Sequence, residues 1–176
     1  MKKFNTIKIF TLALGLFSGV LMAQNITGKS VKVAVDGTSP MHDWTMTSSA
    51  AKFSANVSGN TLTEVSFSMP AKNLKSTKGK MMDNKAYDAL KADNAPNITF
   101  SAASINVGKS TVSGKLSIAG VTKNVSFPVS VTKNGASYTI TGTENVKMSE
   151  FGMQTPGFMG VKTGDAVTIK VNIVAN

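Results

Sequence analysis

Strict two-residue alternation of apolar and polar side chains runs through most of this chain, and it admits few folds. Thr63, Val65, Phe67 and Met69 fall on one side of a run whose other side carries Glu64, Ser66 and Ser68. Val125, Phe127, Val129 and Val131 repeat the pattern, as do Val167, Ile169, Val171 and Ile173. Val112, Leu116 and Ile118 line up through Gly114, and Ile98 and Phe100 begin a further run. Period-two patterning predicts strands with one buried face. Gly59-Asn60, Gly120-Val121-Thr122-Lys123 and Asn134-Gly135 stand between neighbouring runs at hairpin spacing, so consecutive strands are expected to pair antiparallel. The strands are expected near 29–37, 43–57, 61–69, 97–107, 110–119, 123–133, 136–147 and 165–174. Such a series of strands, with edges to hide, favours a closed barrel or a sandwich.

One stretch keeps a different period. Between Lys78 and Asp93 the apolar residues Met81, Met82, Ala86, Tyr87, Ala89 and Leu90 are spaced for a helix, which Pro96 ends. A short helix near 78–93, between two groups of hairpins, is a natural lid or plug for one end of a barrel. No linker divides the chain, so residues 24–176 read as one domain.

The first 23 residues read differently. Lys2, Lys3 and Lys8 precede an apolar run from Ile9 to Met22, and Ala23 offers a small residue for cleavage before Gln24. This is the layout of a secretory signal, and the run is shorter than the roughly 20 residues that span a bilayer. Residues 1–23 are therefore expected to be a cleaved signal peptide, and the product to be exported. No transmembrane segment is expected after cleavage. The absence of cysteine leaves an exported chain without disulfides, so an ordinary core must hold it together.

Charge and motif exclude several functions. The formal net charge is +10, but every one of the 19 basic residues is lysine. They are spread singly, without the arginine forks or basic stripe of a nucleic-acid surface, so no nucleic-acid partner is expected. His42 is the sole histidine and Trp44 the sole tryptophan. On a strand they would share a face, with Asp43 opposite and badly placed to orient the imidazole as a base. No Gly-x-Ser-x-Gly elbow, Gly-x-Gly-x-x-Gly fingerprint or Walker pattern is present, and Glu144 and Glu150 suggest no acid–base pair. One histidine and no cysteine cannot build a zinc site, and the methionines form no thioether repeat for copper. Neither catalysis nor a metal is expected. The segment from Met148 to Gly164 carries two phenylalanines, three methionines and four glycines, which suits a loop folded over a barrel end or a hydrophobic mouth.

Taken in order, several motifs resemble the YceI-like family of exported lipid-binding proteins. They are Asp36-Gly-Thr-Ser-Pro-Met-His42-Asp-Trp44, Met69-Pro-Ala-Lys-Asn-Leu74, Met82-Asp-Asn-Lys-Ala-Tyr87-Asp-Ala-Leu90, Pro96-Asn-Ile-Thr-Phe100, the stretch from Gly114 to Val125, and Ser149-Glu-Phe151-Gly152. The resemblance implies an all-β, eight-stranded antiparallel lipocalin-like barrel around a long apolar channel. It also implies that a polyisoprenoid, such as the tail of a quinone or prenyl phosphate, lies inside. A ten-residue strand rises about 33 Å, enough to sheathe several isoprene units. Each buried methylene contributes about 0.8 kcal/mol, so a long tail binds without many polar contacts.

The candidate ligand-binding residues are His42, Trp44, Phe67, Met69, Leu74, Met81, Met82, Tyr87, Leu90, Phe100, Phe151 and Phe158. The leading expectation is a non-enzymatic carrier or store for an isoprenoid or other long-chain apolar ligand, with a bound isoprenoid lipid or quinone in place of a cofactor. A homodimer is left open. The rival readings are a solid-packed barrel that acts as an envelope protein-interaction module, and an enzyme acting on a bound lipid or quinone.

Overall fold

A computed structural model describes residues 24–158 and 160–176, so the expected signal peptide, 1–23, lies outside the described residues. The main sheet is built from β1 (Gln24–Gly37), β2 (Trp44–Ser48), β3 (Lys52–Ser58), β4 (Thr61–Pro70), β5 (Lys75–Ser76), β6 (Asn97–Asn106), β7 (Gly108–Ile118), β8 (Val121–Asn134), β9 (Ser137–Lys147) and β12 (Ala166–Ala175). A small hairpin of β10 (Gly157–Phe158) and β11 (Val161–Lys162) stands apart, and α1 (Lys80–Ala89) is inserted between β5 and β6.

Antiparallel pairing runs β12-β9-β8-β7-β6-β4-β3-β1, and β1 then pairs with β12, which closes a barrel of 8 strands. Closure removes the open edges that the sequence had to hide. No helix among the described residues is long and apolar enough to cross a membrane.

The observed strands follow the expected ones closely, with three differences. The strand expected at 43–57 is broken into β2 and β3. Ser48 Oγ accepts the Ala50 N–H at 3.3 Å, a local turn that competes with the ladder. β2 pairs with the far half of β1 and with β5, whereas β3 pairs with the first residues of β1 and with β4. The turn expected over Gly120–Lys123 is tighter than that, because Ala119 and Gly120 both take positive φ (51° and 81°) and β8 already begins at Val121. Two successive positive φ values match the right-handed twist of a two-residue hairpin.

The third difference is one of phase. At Glu64 the backbone turns left-handed (φ 51°), and the β3–β4 register shifts between Ser54 and Asn56. Such a bulge moves every earlier residue of the strand to the opposite face. Leu62, not Thr63, is therefore the inward residue before Val65. A second register shift between Gly28 and Ser30 brings Ile26 inward on a strand that begins five residues earlier than expected.

The interior has two halves. One end is filled by Ile26, Ala55, Leu62, Ile105, Val131, Tyr138, Ile140, Ile173 and Ala175. The other is covered by α1 and the 148–164 segment, and its core includes Val33, Met46, Leu74, Leu90, Leu116, Val146, Met148 and Phe151.

Candidate functional site

The covered end gathers its side chains from elements far apart in sequence. From α1 and the residue that follows it, Ala86, Ala89 and Leu90 turn inward. Asp83, one turn from the helix start, is buried. Its Oδ1 accepts the Ser76 N–H at 2.7 Å, and its other oxygen lies 3.6 Å from Lys75 Nζ, which pins the helix to β5. The Lys75 ammonium also donates to the Tyr87 hydroxyl, and that hydrogen bond holds its pKa above the ordinary lysine value.

Opposite the helix, a 3-10 turn over Met148–Phe151 ends at Gly152, whose φ of 63° lets the chain reverse there. Phe151 is thereby buried and Met153 and Pro156 brought over the barrel mouth. Asp165 fixes this turn by accepting the Ser149 N–H at 2.8 Å and the Ser149 hydroxyl at 2.6 Å. These hydrogen bonds hold its carboxyl below the usual aspartate value. Helix and loop meet where Lys85 Nζ donates to the Gly157 carbonyl at 2.7 Å. The segment behaves as the sequence suggests, as a cap folded over one barrel end.

Beneath this cap lie two apolar cavities. The upper, about 80 Å³, is lined by Trp44, Met46, Leu74, Leu90, Val146, Met148, Phe151 and Ile169 among others. The lower, about 90 Å³, is lined by Phe67, Phe100, Phe127, Leu116, Val112, Glu144 and again Ile169. The long continuous channel implied by the resemblance is thus two small voids that meet at Ile169. The lower one reaches into the other core, where Ile105, Ile140 and Ile173 line it, and Ile26, Leu62, Tyr138 and Ala175 fill that end of the barrel without lining either void.

The lower walls depend on two glycines. A Cβ on Gly114 would lie 2.6 Å from the Phe100 ring and 2.4 Å from the Ser101 carbonyl oxygen, and one on Gly142 would lie 3.2 Å from the Phe127 ring. The two rings meet with centroids 5.4 Å apart, tilted at 55°. A larger groove of about 860 Å³ runs along the β1–β12–β9–β8 wall; it is open to solvent and bordered by Lys32, Lys109, Lys170 and several hydroxyls as well as by Val33, Pro128 and Val171.

Six of the expected ligand-binding residues, Trp44, Phe67, Leu74, Leu90, Phe100 and Phe151, line these cavities. Met69 is buried and Tyr87 packs partly against the same core, yet neither lines a void. His42 is a correction: β2 begins only at Trp44, so His42 lies exposed in the preceding loop and shares no strand face with the tryptophan. Its backbone carbonyl accepts the Ser39 hydroxyl at 2.7 Å, and Trp44 Nε1 donates instead to the Thr38 carbonyl at 3.2 Å. Met81 is also displaced, 55% exposed on the outer face of α1, and Met82 lines neither cavity. For Phe158 the structure describes the backbone pairing with Val161 and not the side chain.

The ligand-binding candidates read from the sequence leave out Met46, Phe127, Val146, Ile169 and Glu144, all of which line the cavities. The first four were visible as inward positions of alternating runs. Glu144 sits on β9 in the same inward series as Ile140, Gly142 and Val146, and its charge hid it. Burial pushes its carboxyl above the usual glutamate value, against a smaller opposing effect of the Asn145 backbone hydrogen bond. Among the described residues no group of three or more His, Cys, Asp or Glu side chains could hold a metal ion.

The model of the YceI-like domain family matches residues 11–175, nearly the whole chain. The chain belongs to the YceI-like family. Three solved structures share its fold. BcnA of Burkholderia cenocepacia superposes with a TM-score of 0.71 at 22% identity, covering 83% of this chain and 96% of that one. A polyisoprenoid binding domain from Saccharophagus degradans, implicated in plant cell wall breakdown, gives 0.68 at 10% identity, covering 88% and 98%. A YceI protein of Campylobacter jejuni gives 0.53 at 17% identity, covering 99% and 97%. No curated protein matches the chain. At these identities the solved YceI-like relatives establish the barrel and leave its cargo to be argued from the residues.

Proposed function

We propose that this protein is exported and holds a long apolar molecule of the polyisoprenoid kind inside its barrel, as a carrier or store. The observation that carries the reading is the pair of apolar cavities stacked beneath the α1 cap. Their walls are largely aliphatic and aromatic, with Met46, Met148 and Met153 in the upper one. Methionine is unbranched and readily changes rotamer, so these walls can part around a slender chain at small energetic cost. The packing of the other half gives the guest a floor, so a chain enters and leaves at the capped end. A polyisoprenoid binding domain among the fold neighbours supports the same class of ligand. The reading assigns no catalytic role and no metal, and it places the exported protein in the periplasm or outside the cell.

Native mass spectrometry of the purified protein, followed by organic extraction, tests it. The expected result is a complex whose extra mass is released as a prenyl lipid, or that forms one-to-one when prenyl lipid is added. An apo mass that persists in the presence of prenyl lipids would favour a barrel that serves as a protein-contact module.

A further inference from the structure

The lower cavity contains one titratable group. Glu144 lies on β9 between Gly142 and Val146, with an apolar lining of Phe67, Phe127 and Ile169 about it. In the β9–β12 ladder it stands directly opposite Ile169, the residue that lines both cavities, and it lines the lower one. The described lysines that pair with carboxylates do so with Asp36, Asp83 and Asp93, and none with Glu144. Taking a carboxyl out of water into an apolar cavity is costly unless something hydrogen-bonds to it. The Asn145 backbone hydrogen bond meets only part of that demand, since an ionised carboxylate has two oxygens and roughly four acceptor positions.

We propose that Glu144 is the polar anchor of the cavity, accepting a hydrogen bond from a hydroxyl carried by an otherwise apolar ligand. The inference rests on the apolar-cargo reading and deepens it by naming the head chemistry. A hydroxyl donor complements an acceptor-only carboxylate and brings no charge of its own. A phosphate head brings negative charge toward Glu144 in a medium of low dielectric constant, where like charges repel strongly. The phosphorylated form of a lipid is therefore selected against, and the free alcohol is selected for. Glu144 lacks a neighbouring acid or base in the cavity lining, so it serves in recognition and not in proton transfer.

The test compares a twenty-carbon prenyl alcohol, its methyl ether and its monophosphate, titrated against the intact mature protein while Trp44 emission is followed. The ether keeps the oxygen and loses the donor. For the unaltered protein the alcohol is expected to bind about tenfold tighter than the ether, the size of one hydrogen bond to a charged group, and the phosphate to bind more weakly than the alcohol. In Glu144→Leu the alcohol-to-ether preference is expected to fall to about one while the ether binds no worse, since the change removes only the anchor. Glu144→Gln is a near-isosteric second variant should leucine disturb packing, and it is expected to reduce the preference without abolishing it. Equal binding of alcohol and ether by the unaltered protein, or a preference that survives both substitutions, overturns the role of Glu144 and leaves the apolar-cargo reading intact. Failure of all three compounds to bind overturns that reading and the anchor with it.

Discussion

The two ends of this barrel are made of similar residues and packed to different ends. In the closed half, Ile26, Leu62, Tyr138 and Ala175 are buried with almost no exposure and line neither cavity (Ile26 and Leu62 are both at 0%), although the lower cavity reaches into this half as far as Ile105, Ile140 and Ile173. In the capped half, Trp44, Leu74, Leu90 and Phe151 are held by a helix and a loop from outside the barrel wall, and space remains beneath them. The first arrangement supplies stability and the second supplies room. The β1–β12 seam that closes the barrel runs along both halves, from Gly28–Ala175 to Gly37–Val167, so a chain without disulfides can keep a looser half inside a closed wall.

If the halves differ in this way, equal truncations should have unequal effects. Leu62→Ala in the closed half is expected to lose about 3 to 5 kcal/mol, because the wall cannot collapse into the hole. Leu74→Ala beside an existing void is expected to lose about 2 kcal/mol, near the lower end for such changes. Chemical denaturation measures both, and equal losses would erase the distinction. Asp83→Ala removes the carboxylate that pins α1 to β5 and is expected to cost about 2 kcal/mol, as for other hydrogen bonds to charged groups. Hydrogen exchange should quicken first over residues 80–89; a rise spread evenly over the barrel would mean that the cap is not a separate unit.

Gly114→Ala sets a methyl 2.4 Å from the Ser101 carbonyl and against the Phe100 ring, with an expected loss of about 1 to 2 kcal/mol in the melting curve from the overpacking. The smallest effects are in the pH profile. Burial raises the folded Glu144 pKa above 4.5, so the folded state holds the proton more tightly. The stability this gives is fully present below pH 4.5 and declines as pH rises through the folded value, a slope that Glu144→Gln should flatten. Asp165, held below 3.8 by Ser149, works in the opposite sense. Its contribution is present above pH 3.8 and is lost as pH falls through its folded value, and Asp165→Asn should remove that acid-side loss.

The same two halves also differ in how plainly the sequence describes them. Around the cap, Trp44, Leu74, Leu90 and Phe151 sit in motifs with a local signature, so barrel, helix and closing loop were all legible. In the closed half the alternation that predicts an inward face is broken by the Glu64 bulge and by the register shift after Gly28. Leu62 and Ile26 consequently fall out of phase with the runs that follow them, and period counting assigns the wrong face or no strand. His42 was misplaced because strand geometry was extended two residues too far, into a loop ordered by Ser39. Glu144 was missed for another reason. A charge on an alternating run reads as a solvent-facing residue, and only the placement of Ile140, Gly142 and Val146 shows that its position points inward.

The central claim is that the two stacked cavities, and not the fully packed end around Ile26, Leu62 and Tyr138, receive a linear apolar chain. Trp44 is the sole tryptophan and lines the upper cavity, so its emission reports on that space directly. Titration of the protein with a long-chain prenyl alcohol should produce a saturable, one-to-one change in Trp44 fluorescence. An emission spectrum that stays unchanged throughout the titration would contradict the claim.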